Sequence, residues 1–419
     1  MKRLIMTLAA LCGLFCALQA AVVKTGLEVL VENDFDVLQG KRIGLVTNPT
    51  GVDSGLNSTV DILAAAPGVE LAALFGPEHG VRGNAHAGDH VASNVDEATG
   101  LPVYSLYGAT RKPTREMLRG LDAVVYDIQD NGCRSYTFIS TLGLVMQACA
   151  ENDIEVIVLD RPNPLGGIKI DGPVVNDGCF SFVGMYKIPY VYGLTVGELA
   201  TMLNEEGMNR GQKGQDAPSH CRLTVVPMEG WHRDMLYQDT GLPWVLPSPH
   251  IPQPESALAY PASGIVGELS NYLSIGVGYT LPFQLFGAEW IADADAFAAE
   301  LNALGLPGVR FRPIYFKPFY GGKKDIQLGG VQFHFTDFHH APVALLQFYV
   351  METVARMYPS HRPFNLADES RYAMLDKVLG GPQIRRMFRE HYSVDDILEY
   401  WNKDADNFRE LSACYYLYE

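Results

Sequence analysis

Glu78 and His79 sit side by side in Gly76-Pro77-Glu78-His79-Gly80, directly after the apolar run Leu71 to Phe75. Proline and glycine turn and stiffen the chain, so this loop holds its acidic residue in one place. A carboxyl group held against apolar surroundings can act as a general acid at neutral pH, because burial favours its neutral form. Glu78 is therefore the first candidate catalytic residue. Second carboxylates are offered by Asp127, at the end of an apolar run, by Asp130 in the turn sequence Asp130-Asn131-Gly132, and by Glu268 in the second half of the chain. Two carboxylates flanking one bond are the usual apparatus of glycoside hydrolysis. The sequence leaves open which of the three partners Glu78. Asn48, His79, Arg82, Arg134, Tyr136, Asp160, Arg161 and Asn163 are the candidate substrate-binding residues. Arg134 opens a predicted helix, where an anion such as a substrate carboxylate is favoured.

A metal centre is the competing chemistry. His79, His86, Asp89 and His90 fall within twelve residues, and His86 and His90 have i,i+4 spacing. Gly83, Ala85 and Gly88 weaken a regular helix there, and the chain has no His-Glu-x-x-His. Nor does it have a Gly-x-Ser-x-Gly elbow, a phosphate-cradling Gly-x-x-x-x-Gly-Lys, or a Gly-x-Gly-x-x-Gly after its first strand. The site is read as free of metal and cofactor. A metal-dependent hydrolase or amidase using His79, His86 and His90 and a non-catalytic sugar binder are the alternatives.

These residues need a scaffold, and the hydrophobic pattern supplies one. Short, nearly all-apolar runs at 42–47, 69–75, 102–106, 123–128, 155–160 and 223–226 predict strands. Helices are predicted between them, one capped by Asn57 or Ser58, one opened by Pro113 and stopped by Gly120, one over 135–150, and one over 196–206 capped by Thr195. Such strands separated by helices make a parallel sheet covered on both faces. Ligands of such sheets bind beyond the carboxyl ends of the strands. Thr47-Asn48, Glu78-His79, Asp127 to Asp130, and Asp160-Arg161-Pro162-Asn163 all fall on that edge. Residues 211–219 read as a surface loop and the proline-dense 243–254 as a connector. Beyond it, strands at 309–319 and 331–335 and helices near 293–304, 341–357 and 370–400 predict a smaller α+β unit. The organisation expected is a signal peptide (1–20), a Rossmann-like doubly wound catalytic domain (21–250) and an α+β C-terminal domain (251–419) completing a cleft.

The signal reading rests on Lys2-Arg3, the apolar run from Leu4 to Leu18, and Gln19-Ala20-Ala21. It predicts an exported protein, periplasmic or secreted. The run is too short to span a membrane. The 419 residues carry a formal net charge of −16, which repels nucleic acid and anionic membrane surfaces. Outside the leader, Cys133, Cys149, Cys179, Cys221 and Cys414 are widely spaced with no Cys-x-x-Cys. Buried free thiols or one or two disulfides both fit.

The motifs assembled here resemble those of the NamZ-type exo-β-N-acetylmuramidases, a family of bacterial glycoside hydrolases. The matching stretches are Gly44 to Gly51 (GLVTNPTG), Leu74 to Gly83 (LFGPEHGVRG), Tyr126 to Asp130 (YDIQD), Arg134 to Thr137 (RSYT), Leu159 to Pro164 (LDRPNP), Pro282-Phe283 and Phe286 to Ala288. The resemblance implies a Rossmann-like N-terminal domain, a smaller C-terminal domain and a cleft between them. It implies release of terminal N-acetylmuramic acid from peptidoglycan-derived oligosaccharides, with the Glu of the Pro-Glu-His-Gly motif, here Glu78, as the catalytic residue. One region departs. Where many members carry Glu-Gly-Thr-Asn followed by Gly-Arg-Gly-Thr, this chain has Gly267-Glu268-Leu269-Ser270-Asn271 and then Gly276-Val277-Gly278-Tyr279-Thr280. Val277 stands at the Arg position. If that Arg binds the lactyl carboxylate of the sugar, this chain uses another cation or another sugar.

Overall fold

The computed structural model describes residues 23–83, 94–207, 220–269, 272–366 and 369–419. Its larger sheet has seven strands: β1 (Arg42–Thr47), β2 (Glu70–Gly76), β3 (Asn94–Val95), β4 (Pro102–Ser105), β5 (Ala123–Asp127), β6 (Glu155–Leu159) and β7 (Leu223–Val226). Their order is β3-β4-β2-β1-β5-β6-β7. All neighbours run parallel except the two-residue β3, which pairs antiparallel with β4 at the edge.

Alternate residues of the strands enter two different layers, which is why the strands read as unbroken apolar runs. On one face Ile43, Leu45, Val125 and Ile157 pack with Leu27 and Leu30 of α1 (Gly26–Glu32) and with Val60 and Leu63 of α2 (Thr59–Ala64). On the other, Val46, Val124, Tyr126, Val156 and Val158 pack with Phe138, Leu142 and Val145 of α3 (Phe138–Glu151) and with Val196 and Ala200 of α4 (Val196–Glu205). Each fully buried aliphatic side chain of this kind contributes about 1.5–3 kcal/mol. Ser58 caps α2, and Thr195 forms a reciprocal capping box with Glu198 at α4. This is the doubly wound parallel sheet expected from the sequence.

The C-terminal part contains α5 (Pro254–Gly267), β8 (Leu285–Ala288), α6 (Ala294–Ala303), β9 (Val309–Phe316), β10 (Leu328–Phe335) and α7 (Leu346–Met357), then further short helices up to Ala413. Its sheet is antiparallel in the order β8-β10-β9. One apolar core joins the two parts: Cys133, Leu165, Tyr190 and Val191 pack in the same cluster as Ile265, Phe286, Phe348 and Trp401.

Several elements depart from expectation. The segment after Pro113 forms turns, not a helix. Leu118 N–H reaches back four residues to Thr114 at 3.2 Å, but Arg119 and Leu121 reach back three. So short a segment lacks the bonds that repay helix nucleation. Gly120 still stops it, at φ +74°. α3 starts at Phe138, later than 135, which leaves Tyr136 and Thr137 in a turn before it. α5 and β8 were not foreseen. α5 is buried nearly all round, through Ala257, Leu258, Ala259, Ala262, Ile265 and Val266, so it shows no amphipathic stripe. Pro254 starts it, where a missing N–H costs nothing. The five cysteines among the described residues are free thiols. Among the described residues, no helix is long and apolar enough to cross a membrane. The 1–20 leader, residues 211–219, His86, Asp89 and His90 lie outside the described residues.

Candidate active site

The strands added before and after β1 spread to opposite sides, so the winding reverses between β1 and β5. Beyond the carboxyl ends of such a pair lies the crevice where doubly wound sheets bind ligands. Here it is bordered by Asn48 after β1 and by Asp130 and Asn131 after β5. All three are 3% exposed or less. Asn48 Nδ2, Asp130 Oδ1 and both side-chain heteroatoms of Asn131 nevertheless have no protein partner. A buried polar atom left unpaired costs about 1–3 kcal/mol. Four such atoms at one switch point give it unused hydrogen-bonding capacity.

The partnered atoms of the same residues fix their directions. Asn48 Oδ1 accepts from the N–H of Thr50 (3.0 Å) and its hydroxyl (2.5 Å). Asp130 Oδ2 accepts from Gly132 N–H at 2.8 Å and from the Tyr192 hydroxyl. Gly132 has φ +72°, and a Cβ there would lie 2.2 Å from Asn163 Oδ1, so the turn requires glycine. Burial pushes the Asp130 carboxyl up to about 6, against the opposing pull of Tyr192 and the Gly132 amide.

Glu78 enters from the end of β2. Gly80 N–H closes a turn onto Pro77 O at 2.9 Å, and His79 takes φ +72° inside it. A positive φ is uncommon for a histidine and is sustained here by the surrounding structure. Gly76 lets the loop close: a Cβ there would lie 3.1 Å from Val81 N. The half-buried Glu78 carboxylate accepts from Thr137 Oγ1 at 3.0 Å and from the Tyr107 hydroxyl. Tyr107 is pushed up to about 12, first by burial and then by the charge of Glu78. Tyr136, between Phe138 and Tyr260 with edge-on ring contacts at 5.0 and 5.6 Å, faces Ser248 and lies in the fields of both Asp130 and Glu78. The structure thus gathers Glu78, His79, Asn48, Asp130 and Tyr136 at one edge.

Other expected site residues are committed to the fold. Asp127 is fully buried and forms a two-pronged ion pair with Arg161, at 2.5 Å to Nε and 2.8 Å to Nη2, and accepts from Thr59 Oγ1 at 2.5 Å. Both of its oxygens are thus engaged within the fold, unlike those of Asp130. Arg161 also donates to Val52 O at 2.9 Å. Asp160, fully buried and raised to about 6 by desolvation, accepts from Thr195 Oγ1, Gly197 N–H and Tyr418 OH at 2.6–2.7 Å. Asn163 bridges Leu194 O and Leu165 N–H, both at 2.9 Å. Arg134 meets no anion: its Nη atoms donate to the carbonyls of Pro173, Ile188 and Val378 at 2.6–2.8 Å, joining the sheet to the C-terminal part. Arg82 forks onto Asp96 at 2.9 and 3.0 Å, and holds that carboxyl down to about 2. Glu268 caps α5 and pairs with Arg371 at 2.7 Å, while burial raises its carboxyl. A small crevice beside Arg161 is lined by Thr50, Gln129 and Tyr237 and not by Glu78.

Sequence reasoning missed Tyr107, Thr137 as a Glu78 partner, and Asn131. Tyr107 follows β4 by two residues. The same strand-end rule, applied to β4, points to it. Asn131 was read as part of a turn, and nothing local shows that its amide is unpartnered.

A reversed-winding parallel sheet with a hydroxyl-bound carboxylate near its switch point is compatible with an α/β glycosidase. Family models for the exo-β-N-acetylmuramidase NamZ match over residues 43–255 (N-terminal) and 258–418 (C-terminal). The chain belongs to the NamZ family. It is 44% identical over 396 residues to the peptidoglycan β-N-acetylmuramidase NamZ of Bacillus subtilis (strain 168), covering 94% of this chain and 91% of that one. Among solved structures, a DUF1343 family protein from Bacteroides fragilis superposes with a TM-score of 0.89 at 56% identity, covering 95% of this chain and 99% of that one. A second from the same organism gives 0.75 at 28% identity, with the same coverage.

Proposed function

We propose that this protein releases terminal β-linked N-acetylmuramic acid from peptidoglycan-derived oligosaccharides, with Glu78 as the general acid. The observation that carries this reading is the Glu78 carboxylate, oriented by Thr137 and Tyr107 beside a switch point whose buried amides lack partners. The relative in Bacillus subtilis, named as a peptidoglycan β-N-acetylmuramidase, supports the choice of sugar.

In this mechanism Glu78 protonates the glycosidic oxygen as the bond to the anomeric carbon breaks. Asp130 is the second carboxylate. Its free Oδ1 is positioned to steady the positive charge developing on the sugar ring or to take a proton from water. The amides of Asn48 and Asn131 hold ring hydroxyls and the N-acetyl group. Tyr136 meets Tyr260 of the C-terminal part, which supports the reading that residues 251–419 complete a cleft over the catalytic domain, residues 21–250. No cofactor takes part. The leader-like residues 1–20 support export to the periplasm or medium; fractionation with mass analysis of the N-terminus tests this, and an uncleaved cytoplasmic chain would overturn it.

The direct test is product analysis on a disaccharide with N-acetylmuramic acid at its non-reducing end. Free N-acetylmuramic acid in step with N-acetylglucosamine is the expected result. An unchanged disaccharide, or cleavage of an amide bond in a muropeptide instead, overturns the proposal. Chelator treatment separates the metal route through His79, His86 and His90: activity should survive it.

A further inference from the structure

N-acetylmuramic acid differs from N-acetylglucosamine by a lactyl ether on O3 that ends in a carboxylate. An enzyme selecting this sugar needs a cation for that group. The cations at the carboxyl edge of the sheet are mostly committed: Arg82 to Asp96, Arg161 to Asp127, and Arg134 to three backbone carbonyls. Val277 offers no charge. Arg111 is different. It is exposed, in the turn region that follows β4, and has no carboxylate partner among the described residues. Its Cζ sits 4.2 Å from the centre of the Phe182 ring.

The position of this guanidinium relative to Glu78 gives it meaning. The Phe182 ring lies 6.5 Å from the ring of Tyr107, whose hydroxyl bonds Glu78. Arg111 is therefore joined to the Glu78 carboxylate through two rings, Phe182 and Tyr107, and its charge reaches the Tyr107 hydroxyl. The lactyl ether leaves C3, two ring bonds from the anomeric carbon whose oxygen Glu78 protonates, so acid and cation should both lie within reach of one sugar ring. Contact with Phe182 also prepares the guanidinium. An aromatic face holds it in place while the N–H edge stays open for a two-pronged carboxylate contact.

We propose that Arg111, seated on Phe182 beside Tyr107, binds the lactyl carboxylate and gives the site its preference for muramic over glucosamine sugars. This rests on the reading of the site as an N-acetylmuramidase with Glu78 as the acid.

The test compares two aryl β-N-acetylmuramides, one with the free lactyl acid and one with its primary amide, on the wild-type enzyme and on Arg111→Met and Arg111→Lys. Methionine keeps contact with Phe182 and removes the charge. Arg111→Met should lower kcat/KM on the acid by about 10- to 100-fold, chiefly through KM, and lose far less on the amide. The wild-type enzyme should favour acid over amide by a similar factor, and Arg111→Lys should recover part of the loss. Equal losses on both substrates, or no loss on the acid, overturn the assignment. If the wild-type enzyme hydrolyses neither substrate while Tm is normal, the N-acetylmuramidase reading itself fails, and the role of Arg111 fails with it.

Discussion

The strand ends on the two sides of β1 use the same residue types for opposite purposes. On the β5–β6 side, Asp127, Arg161, Asp160 and Asn163 make closed networks in which every charged oxygen has a partner. On the β2–β4 side, Glu78 is half-buried and held by two hydroxyls, and Arg111 has no carboxylate partner among the described residues. Asp130 and Asn131, though they follow β5, belong with the second group because they keep unpaired atoms. Position at a strand end makes a residue available to a ligand. Spare hydrogen-bonding capacity decides whether it is used by one.

This contrast can be broken from either side. The largest stability effect is expected from Asp127→Ala, which leaves Arg161 buried without its partner and should cost about 3–5 kcal/mol in urea unfolding. A smaller loss would mean that the ion pair is not closed as described. On the open side, Tyr107→Phe removes a donor to Glu78 and should lower kcat about tenfold with Tm nearly unchanged. A large fall in Tm with kcat intact would move Tyr107 into the closed group.

Asp130→Asn sharpens the boundary case through pH. Burial raises the native Asp130 carboxyl from 3.8 to about 6, so between those values the folded chain holds a proton that the unfolded chain has released. This group therefore makes wild-type stability fall as pH rises through that window, and penalises the fold above it. Asp160, also raised to about 6, acts in the same direction and remains in the variant. Asp130→Asn should flatten the decline between about pH 4 and 6 without abolishing it. An identical slope in variant and wild type would show that Asp130 is not buried as a neutral acid. The smallest effect is expected for Arg82→Gln. Its pair with Asp96 is 41% exposed on the arginine side, and such pairs contribute at most about 1 kcal/mol. Turnover should stay within about twofold, which a spectator pair predicts; a tenfold loss would return Arg82 to the substrate.

The sequence carried the scaffold well because strand identity is local. Residues 42–47 and 223–226 read as strands with the bounds they have in the structure. The strand-end rule then led to the edge where Glu78 and Asp130 lie together. It could not separate them from Asp127, Asp160 and Asn163, because the partners that commit those residues come from afar. Thr59 is 68 positions from Asp127, and Tyr418 is 258 from Asp160. Arg134 looked like an anion site because it precedes a helix, yet one of its acceptors, Val378 O, lies 244 residues away. α5 escaped for a related reason: burial on all sides erases the periodicity that marks a helix.

Glu78, held by Thr137 and Tyr107, supplies the proton in this account, while the closed networks serve the fold. The most direct test is the rate of N-acetylmuramic acid release by Glu78→Gln, measured alongside its Tm. A fall in kcat of about 10²- to 10⁴-fold with Tm unchanged is the predicted result. Turnover within a few-fold of wild type would contradict it.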